Sequence, residues 1–352
     1  MKIRKFKKNL NIFEKKNFNT ITRFLLSSCM LVSFFYIIPI FINFAEKNLK
    51  NEEFTNNSKK ILAYTLNTKN SNQTINEEDV LFDIFSLNNL ESGTVRLSAS
   101  TIKQLFQDTD YNLKDVRKKK LVKPVALTLL PSEIKMIENT NKRKEFFIQI
   151  VLPLILQENN NIRVDRKTLF KIINKNNNTK VEKQWLEKKY KQYGVVSRDL
   201  STLKIRVDEI PVSLAIAQAA KETGWGTSRF AQEGNALFGQ WTWSGDGLKP
   251  KEAKDGEDHK VMKFNVLQAS VRAYQRNLNT HSSYKDFRKA RAELRDLDKP
   301  LDSIELSKHL NKYAETGNQY VEVLQKIIEQ NKLKDFDEAK LLPSSINLES
   351  LI

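Results

Sequence analysis

The sequence predicts a mainly α-helical protein, and three observations lead to that prediction. Its 352 residues include only 10 glycines and 8 prolines, too few for the many tight turns of an all-β fold. Hydrophobic residues make up 40% of the chain and charged residues 29%, enough to build a buried core. Apolar residues also recur at helical spacing over 212–220, 267–278, 304–313 and 320–328.

The first 45 residues predict a membrane anchor. Residues 1–23 hold eight Lys or Arg side chains and the single acid Glu14, and residues 24–45 follow without a charge. A helix of that length would measure about 33 Å, which matches a hydrocarbon core of about 30 Å. The basic flank keeps the N-terminus in the cytoplasm. We therefore expect a single-pass inner-membrane protein whose catalytic part lies in the periplasm or otherwise outside the cytoplasm.

Two other interpretations of this segment stay open. A cleaved signal peptide would begin in the same way, although its apolar core is usually shorter and ends at a small-x-small site. The four residues that end at Cys29, LSSC, resemble a bacterial lipid-attachment motif, but the apolar stretch continues well beyond them.

Composition also argues against several functions. Cys29 is the only cysteine, so the chain has no internal disulfide and no cysteine-based zinc site. His259, His281 and His309 lie too far apart for a metal-binding helix motif, and we expect neither a metal nor a cofactor. Of the net charge of +17, residues 1–23 contribute +7 (eight minus one), which leaves +10 on the rest. Outside the cytoplasm this charge favours an anionic wall polymer over nucleic acid.

Changes in composition suggest how the chain is organised. Residues 46–80 are rich in Asn, Lys and Glu, which is typical of a flexible tether. Apolar residues return after this stretch, and Phe146–Leu156 predicts a buried helix interrupted by Pro153. The predicted parts are a basic cytoplasmic tail (1–23), a transmembrane anchor (24–45), a linker (46–80), a helical N-terminal region (81–180), a catalytic domain (181–335) and a C-terminal tail (336–352).

Glu222 is the candidate catalytic residue. Asp208–Pro211 predicts a helix start with Asp208 as its N-cap, and residues 212–220 are apolar around almost the whole helix, which predicts burial. Glu222 ends that helix. Burial and the helix C-terminus both raise the pKa of a carboxyl group, and a carboxylic acid that stays protonated near neutral pH can protonate a glycosidic oxygen. A surface glutamate on a fraying last turn is the alternative.

Two motifs around Glu222 resemble a known family. Residues 216–226 read IAQAAKETGWG and residues 235–239 read NALFG, and this pair is similar to the motif pair of the glucosaminidases of glycoside hydrolase family 73. A longer similarity, through 239–243, 269–281 and 313–320, resembles the membrane-associated Bax-type branch of that family.

The resemblance covers roughly residues 130–335 and implies a lysozyme-like α-helical fold. It implies hydrolysis of the β-1,4 bond between N-acetylglucosamine and N-acetylmuramic acid, with Glu222 as the catalytic acid and peptidoglycan glycan strands as the partner. Such domains are often labelled mannosyl-glycoprotein endo-β-N-acetylglucosaminidase-like, or amidase. Residues 239–263 hold four of the ten glycines and predict a small β-hairpin or irregular lobe beside the site.

The second catalytic group is less defined. Glycosidases of both stereochemical classes use a second acidic group, and the resemblance places it in the lobe. Glu252 fits best, but the lobe also contains Asp246, Asp255, Glu257 and Asp258. The acetamido group of the substrate is an alternative nucleophile.

Candidate substrate-binding residues surround Glu222. Flat aromatic rings suit the apolar faces of sugars, although half of these rings should belong to the core, Phe238 first among them. Asn235 either binds substrate or holds its loop. The resemblance assigns Tyr313 and Tyr320 to a tyrosine pair, one of which orients the N-acetyl group. The full set is Trp225, Asn235, Phe238, Gly239, Trp241, Trp243, Tyr313 and Tyr320.

Two rival functions stay open. A lytic transglycosylase also needs a single acid in a lysozyme-like fold, and a non-hydrolytic wall-binding or scaffold protein would keep Glu222 without its second group.

Overall fold

The computed structural model describes residues 95–242, 247–249 and 260–343, together with Ile84 and Leu87. This part of the chain is mainly helical with a few short strands, which confirms the fold class at that level. The α-helices within it are α1 (Ala99–Asp108), α2 (Leu113–Lys119), α3 (Thr140–Ile173), α4 (Lys180–Gln192), α5 (Leu200–Arg206), α6 (Val212–Thr223), α7 (Arg229–Gly234), α8 (Leu267–Thr280), α9 (Lys285–Asp296), α10 (Ser303–Ser307) and α11 (Asn318–Gln330). Single 3-10 turns lie at Ser132–Met136, Ser282–Tyr284 and Leu333–Phe336.

None of the helices in the described ranges is long and apolar enough to cross a membrane. The predicted tail, anchor and linker at 1–80 lie outside those ranges, so the anchor stays a prediction.

Helix α6 is the centre of the packing. Every residue from Val212 to Ala220 is buried, as the sequence predicted from its apolar circumference. The helix packs against α3, α10, α11 and the turn at Leu333–Phe336. A helix that is apolar on all sides must be covered on all sides, and this requirement brings elements from both ends of the described chain around it.

The start of α6 differs from the prediction. The N-cap position is Pro211, which provides no side-chain cap, so Asp208 as N-cap is wrong. The cap comes from the far end of the chain instead: Ser213 donates its backbone N–H and its hydroxyl to the two carboxylate oxygens of Asp337, both at 2.8 Å. A carboxylate is favourable beside the positive end of a helix. Burial nevertheless raises the pKa of Asp337 to about 6.

Asp208 instead forms ion pairs with three arginines. Its side chain is buried, and Arg295 donates to both carboxylate oxygens at 3.0 and 3.2 Å. Arg291 and Arg166 each lie 3.8 Å from Oδ2. Burial acts to raise the pKa of Asp208, but the three guanidinium groups together hold it below its ordinary value. A buried charge persists only with such partners.

Buried arginines also satisfy the carbonyl groups at helix ends, which have no partner within a helix. Arg291 donates to the carbonyl of Ile205 in the last turn of α5 and to those of Asp208 and Glu209 just after it, at 2.9 to 3.1 Å. Arg288 donates to the carbonyls of Leu278 and His281 at 2.9 and 2.8 Å, at the end of α8. Helix α9 therefore fixes the ends of two neighbouring helices.

Helix α3 is longer than predicted. The apolar run Phe146–Leu156 lies inside a 34-residue helix that contains Pro153, because the polar residues on either side continue the same helix. Its buried Glu158 accepts hydrogen bonds from Arg272 at 2.8 and 3.0 Å. The charge of Glu158 is thereby paired inside the contact between α3 and α8.

Helix α10 is shorter than predicted. The periodicity at 304–313 gives only Ser303–Ser307 as α-helix, because turns replace it from residue 308 to residue 317. Gly317 lies directly before α11, with φ of 56° and ψ of −120°.

Two small sheets complete this part of the chain. Strand β1 (Leu121–Val122) pairs in parallel with β5 (Lys340–Leu341). The main core contains residues on both sides of the predicted boundaries at 180 and 335, with Phe147 and Phe336 among them. One core therefore extends across residues 180 and 335, and the predicted boundaries stay predictions.

The second sheet lies where the sequence predicted a small lobe. Strand β4 (Lys260–Met262) is the central strand and pairs antiparallel with β2 (Trp241–Thr242) and β3 (Gly247–Leu248). Val261, Met262 and Phe264 are buried in a separate apolar cluster. Residues 243–246 and 250–259, which include Trp243 and Glu252, lie outside the described residues.

Replacement of Asp208 by Asn should lower the free energy of unfolding at neutral pH by about 3–5 kcal/mol, because it leaves the fully buried guanidinium group of Arg291 without a carboxylate partner. The pKa of Asp208 is lower in the folded state than in the unfolded state, so its contribution is present above the unfolded pKa and is lost as the pH falls through the folded pKa. Urea unfolding of both proteins over a pH series measures this difference.

The control for this experiment is Asp296→Asn, an exposed position at the end of α9, which should change the stability by less than about 0.5 kcal/mol. A difference between wild type and Asp208→Asn that stayed constant from pH 7 to pH 2 would contradict the account of Asp208.

Candidate active site

Glu222 lies at the point where α6 ends. Gly224 ends the helix in the left-handed conformation, with φ of 56° and ψ of 44°, and the N–H of Trp225 reaches back to the carbonyl of Ala220 at 3.0 Å. The Thr223 hydroxyl donates to the carbonyl of Ala219 at 2.6 Å and accepts from the N–H of Gly226 at 2.9 Å. Hydrogen bonds therefore hold the residues before and after Glu222. The alternative of a surface glutamate on a fraying last turn does not fit this helix end.

The carboxylate of Glu222 lies between a hydroxyl group and a glycine. Tyr320, from α11, donates its hydroxyl proton to Oε1 at 2.9 Å. A Cβ atom at Gly239 would lie 3.4 Å from Oε2, so backbone without a side chain borders the second oxygen. Gly239 has φ of 61°, a conformation that favours glycine. The two carboxylate oxygens therefore have different surroundings.

Burial raises the pKa of Glu222 above its ordinary value, whereas the hydrogen bond from Tyr320 and the charge of Lys221 act in the opposite direction. Desolvation penalises the charged form of a carboxyl group. Glu222 therefore keeps its proton to a higher pH than an exposed glutamate does, in the direction that the sequence argument gave.

Four tyrosines surround this carboxylate. Tyr313 stacks on Tyr320 with ring centroids 5.5 Å apart, and Tyr284 lies 5.9 Å from Tyr313. Burial, followed by nearby groups that include Glu222, raises the pKa of all four, that of Tyr284 to about 12. These hydroxyl groups, with Tyr274 as the fourth, stay protonated and can donate hydrogen bonds at any physiological pH.

The NALFG segment positions its backbone at the site by burying its side chains. Asn235 has φ of 49° and donates from Nδ2 to the carbonyl of Phe264 at 2.8 Å. Phe238 is 1% exposed and stacks on Tyr274 with ring centroids 3.8 Å apart. Asn235 therefore holds its loop through Nδ2, and its predicted role in substrate binding stays a prediction. The ring of Phe238 lies in the core, while its carbonyl accepts the hydroxyl of Tyr313 at 2.9 Å.

The tryptophans of the candidate set differ in exposure. Trp225 is partly buried, with its ring edge-on to Phe147 at 6.0 Å and Lys144 Nζ 5.0 Å from its centroid. Trp241 is 47% exposed on strand β2, two residues after Gly239. Trp243 and Glu252 lie outside the described residues, and their roles stay predictions.

Sequence reasoning did not identify Gln218, Tyr274 and Tyr284. Gln218 is fully buried in α6, four residues before Glu222. Residues four apart share one face of a helix, so a glutamine in an otherwise apolar helix, on the face of the catalytic candidate, was the available signal. Tyr274 and Tyr284 reach the site only through tertiary packing.

Within the part of the chain that the structure describes, no group of three or more His, Cys, Asp or Glu side chains could hold a metal ion. His281 has a local contact instead: its Nδ1 accepts the N–H of Ser283 at 3.2 Å.

Comparisons with known proteins relate this site to a family. The glucosaminidase family model, described as mannosyl-glycoprotein endo-beta-N-acetylglucosaminidase, matches residues 202–333. That range contains Glu222, the NALFG segment and the four tyrosines. No solved structure matches the chain.

A bacterial protein of similar sequence supports the same assignment. Protein bax of Escherichia coli strain K12 is 33% identical over 196 residues, which are 54% of this chain and 70% of the relative. The chain belongs to the glucosaminidase family, as a Bax-type member. The resemblance drawn from the two sequence motifs is confirmed.

Replacement of Tyr320 by Phe should raise the pKa of Glu222 further. The change removes the hydrogen bond that favours the charged carboxylate, while the ring that buries it stays. Titration of carboxyl-¹³C-labelled glutamate by NMR, with the Glu222 signal assigned by its loss in Glu222→Gln, measures the shift.

Tyr111→Phe is the matched control, because Tyr111 is also buried and donates to a backbone carbonyl, that of Gln149, at 3.1 Å. It should leave the titration of Glu222 unchanged. A pKa of Glu222 that stayed the same or fell in Tyr320→Phe would contradict the described hydrogen bond.

Proposed function

We propose that this protein is a peptidoglycan hydrolase that cleaves the β-1,4 bond between N-acetylglucosamine and N-acetylmuramic acid, with Glu222 as the general acid. The observation that carries the proposal is the carboxyl group of Glu222, whose burial raises its pKa and whose Oε2 borders the backbone of Gly239. Membership of the glucosaminidase family supports a glycan substrate.

In the proposed reaction, protonated Glu222 donates its proton to the glycosidic oxygen as the bond to the sugar carbon breaks. The sugar ring develops positive charge in an oxocarbenium-like transition state. The carboxylate left on Glu222 accepts a hydrogen bond at Oε1 from the hydroxyl of Tyr320. This hydrogen bond stabilises the charged form as it appears. Glu222 then removes a proton from the attacking water and regains its starting state.

The positive charge on the sugar requires a second group. We propose Glu252 in the lobe for that role, with the substrate's own acetamido group as the alternative nucleophile. The proposal includes a lysozyme-like fold, in which the lobe that begins at strand β2 covers one side of a cleft containing Glu222. Trp241, 47% exposed on β2, would stack on a sugar face there.

We also propose that residues 24–45 anchor the protein in the inner membrane, with the catalytic part outside the cytoplasm. The uncharged run and its basic flank support this topology, and the charge of +10 on the remaining chain suits an anionic wall polymer.

A fusion of alkaline phosphatase after residue 80 tests this topology. Activity of the fusion in intact cells, with the original N-terminus retained on a membrane-bound protein, is the expected result. An N-terminus beyond residue 45 would show cleavage of a signal peptide, and lipid on Cys29 would show a lipoprotein; either result would replace the proposed anchor.

Replacement of Glu222 by Gln should reduce digestion of purified wall sacculi by at least about 10²-fold, because the amide has no proton to donate. Release of soluble glycan measures digestion, and circular dichroism measures the fold. The inactive variant should still bind sacculi, and addition of Trp241→Ala to it should weaken that binding if the ring contacts sugar.

Analysis of the released fragments separates the proposed function from its rivals. Reducing N-acetylglucosamine ends support the proposal, and anhydro-muramic ends would identify a lytic transglycosylase instead. Tight binding of the wild type to sacculi with no soluble release would identify a non-hydrolytic wall-binding protein. Undiminished digestion by Glu222→Gln would remove Glu222 from the mechanism.

A further inference from the structure

A chain of three hydrogen bonds leads from the protein interior to Glu222. Tyr274, on α8, donates its hydroxyl proton to Gln218 Oε1 at 2.7 Å. Gln218 donates from Nε2 to the hydroxyl oxygen of Tyr320 at 3.1 Å, and Tyr320 donates to Glu222 Oε1 at 2.9 Å. Gln218 and Tyr274 are fully buried and Tyr320 is 2% exposed, so water does not compete for the two hydrogen bonds of Gln218.

The chain has a direction, because its members differ in what they can donate. The amide oxygen of Gln218 only accepts, the amide nitrogen only donates, and each phenol has a single proton. Since the proton of Tyr274 goes to Oε1 of Gln218, the amide nitrogen faces Tyr320. The oxygen of Tyr320 then accepts, which leaves its one proton for Glu222.

The opposite direction would be unproductive. With the amide of Gln218 turned over, Tyr320 would donate to Gln218 and would present a lone pair to Glu222. That arrangement suits a proton on Oε1 of Glu222, where it would point into the protein. It also leaves the ionised carboxylate without its buried donor, which is costly.

We propose that Gln218 and Tyr274 are positioning residues: they set the direction of this chain so that Oε1 of Glu222 always accepts and the acidic proton is held on Oε2, the oxygen beside Gly239. The inference rests on the proposed function, because it assigns the reactive oxygen of the same acid. The proton on Oε2 moves to the glycosidic oxygen as the C–O bond breaks, and the attacking water later returns a proton to Oε2. Oε1 keeps the hydrogen bond from Tyr320 throughout.

The other groups around Glu222 do not replace this chain. Among the described residues, the ionisable groups that interact with Glu222 are Lys221 on its own helix and the four tyrosines. The tyrosines come from α8, the turn at Ser282–Tyr284, the loop before α11 and α11 itself. Lys221 is exposed. The hydroxyl of Tyr313 is used on the carbonyl of Phe238, and that of Tyr284 interacts with Asn277.

Two substitutions at fully buried positions test the proposal. Tyr274→Phe removes the proton that orients the amide and keeps the ring that stacks on Phe238. Gln218→Met removes both polar ends and keeps the length of the side chain. Each should raise the pKa of Glu222 in the ¹³C titration, for a different reason. In Tyr274→Phe the amide of Gln218 can turn over and accept the proton of Tyr320. In Gln218→Met the oxygen of Tyr320 loses the hydrogen bond that it accepts from Gln218, which weakens its donation to Glu222.

Activity should change in a matching way. The basic limb of the pH profile of wall digestion should move to higher pH by the same amount as the titration. At the optimum, kcat should fall by about 2- to 10-fold, the equivalent of one hydrogen bond, with KM unchanged. Added to Tyr320→Phe, neither change should move the titration of Glu222 again, because both act through Tyr320.

Tyr111→Phe is again the control and should alter neither the titration nor the pH profile. If Tyr274→Phe and Gln218→Met left the titration of Glu222 at its wild-type position, or moved it equally in the Tyr320→Phe background, the proposal would be overturned. Should Gln218→Met fail to fold, Tyr274→Phe alone decides.

The titration needs no substrate, and for that reason it separates this inference from the proposed function. Shifted titrations in a protein that releases no glycan would leave the hydrogen-bond chain in place and remove the hydrolase. Normal digestion with unshifted titrations would support the hydrolase and overturn the role of Gln218 and Tyr274.

Discussion

The structure depends on the burial of α6. A helix that is apolar around its whole circumference gains stability only when every side is covered, and α3, α10, α11 and the turn at Leu333–Phe336 provide that cover. The carboxyl group of Glu222 occurs at the end of this helix, where the cover gives way to the NALFG backbone. The same burial that stabilises the fold therefore raises the pKa of Glu222, and the chemistry of the site follows from the packing.

The site is held by hydrogen bonds, and it gives the two carboxylate oxygens of Glu222 different surroundings. Hydrogen bonds at Thr223 and Gly224 fix the end of the helix, and stacked tyrosines occupy the inner side of the carboxylate. The second oxygen borders the backbone of Gly239, which has no side chain. In the proposed mechanism, this division would let one oxygen bind the protein and the other exchange the proton, without any movement of Glu222 between the two steps.

Local patterns predicted part of this arrangement. The apolar run at 212–220, its end at Glu222 and the NALFG motif all act within a few residues, so they identified the buried helix, its end and the family. Other features depend on residues distant in the chain. The proximity of Tyr274 and Tyr284 to Glu222 requires the packing of α8, and the ion pairs of Asp208 with Arg166, Arg291 and Arg295 turned an apparent helix cap into a buried charge. The helical spacing of apolar residues over 304–313 also overestimated the length of α10, because turns follow the helix from residue 308.

The contact between Ser213 and Asp337 links the beginning of the central helix to the last part of the described chain. Asp337 lies beyond residue 333, where the match to the family model stops, and strand β5 follows it. The recognisable family segment is thus shorter than the unit that folds: a chain trimmed to that segment would contain every residue named around Glu222 and would still lack the carboxylate on which the helix beneath them begins.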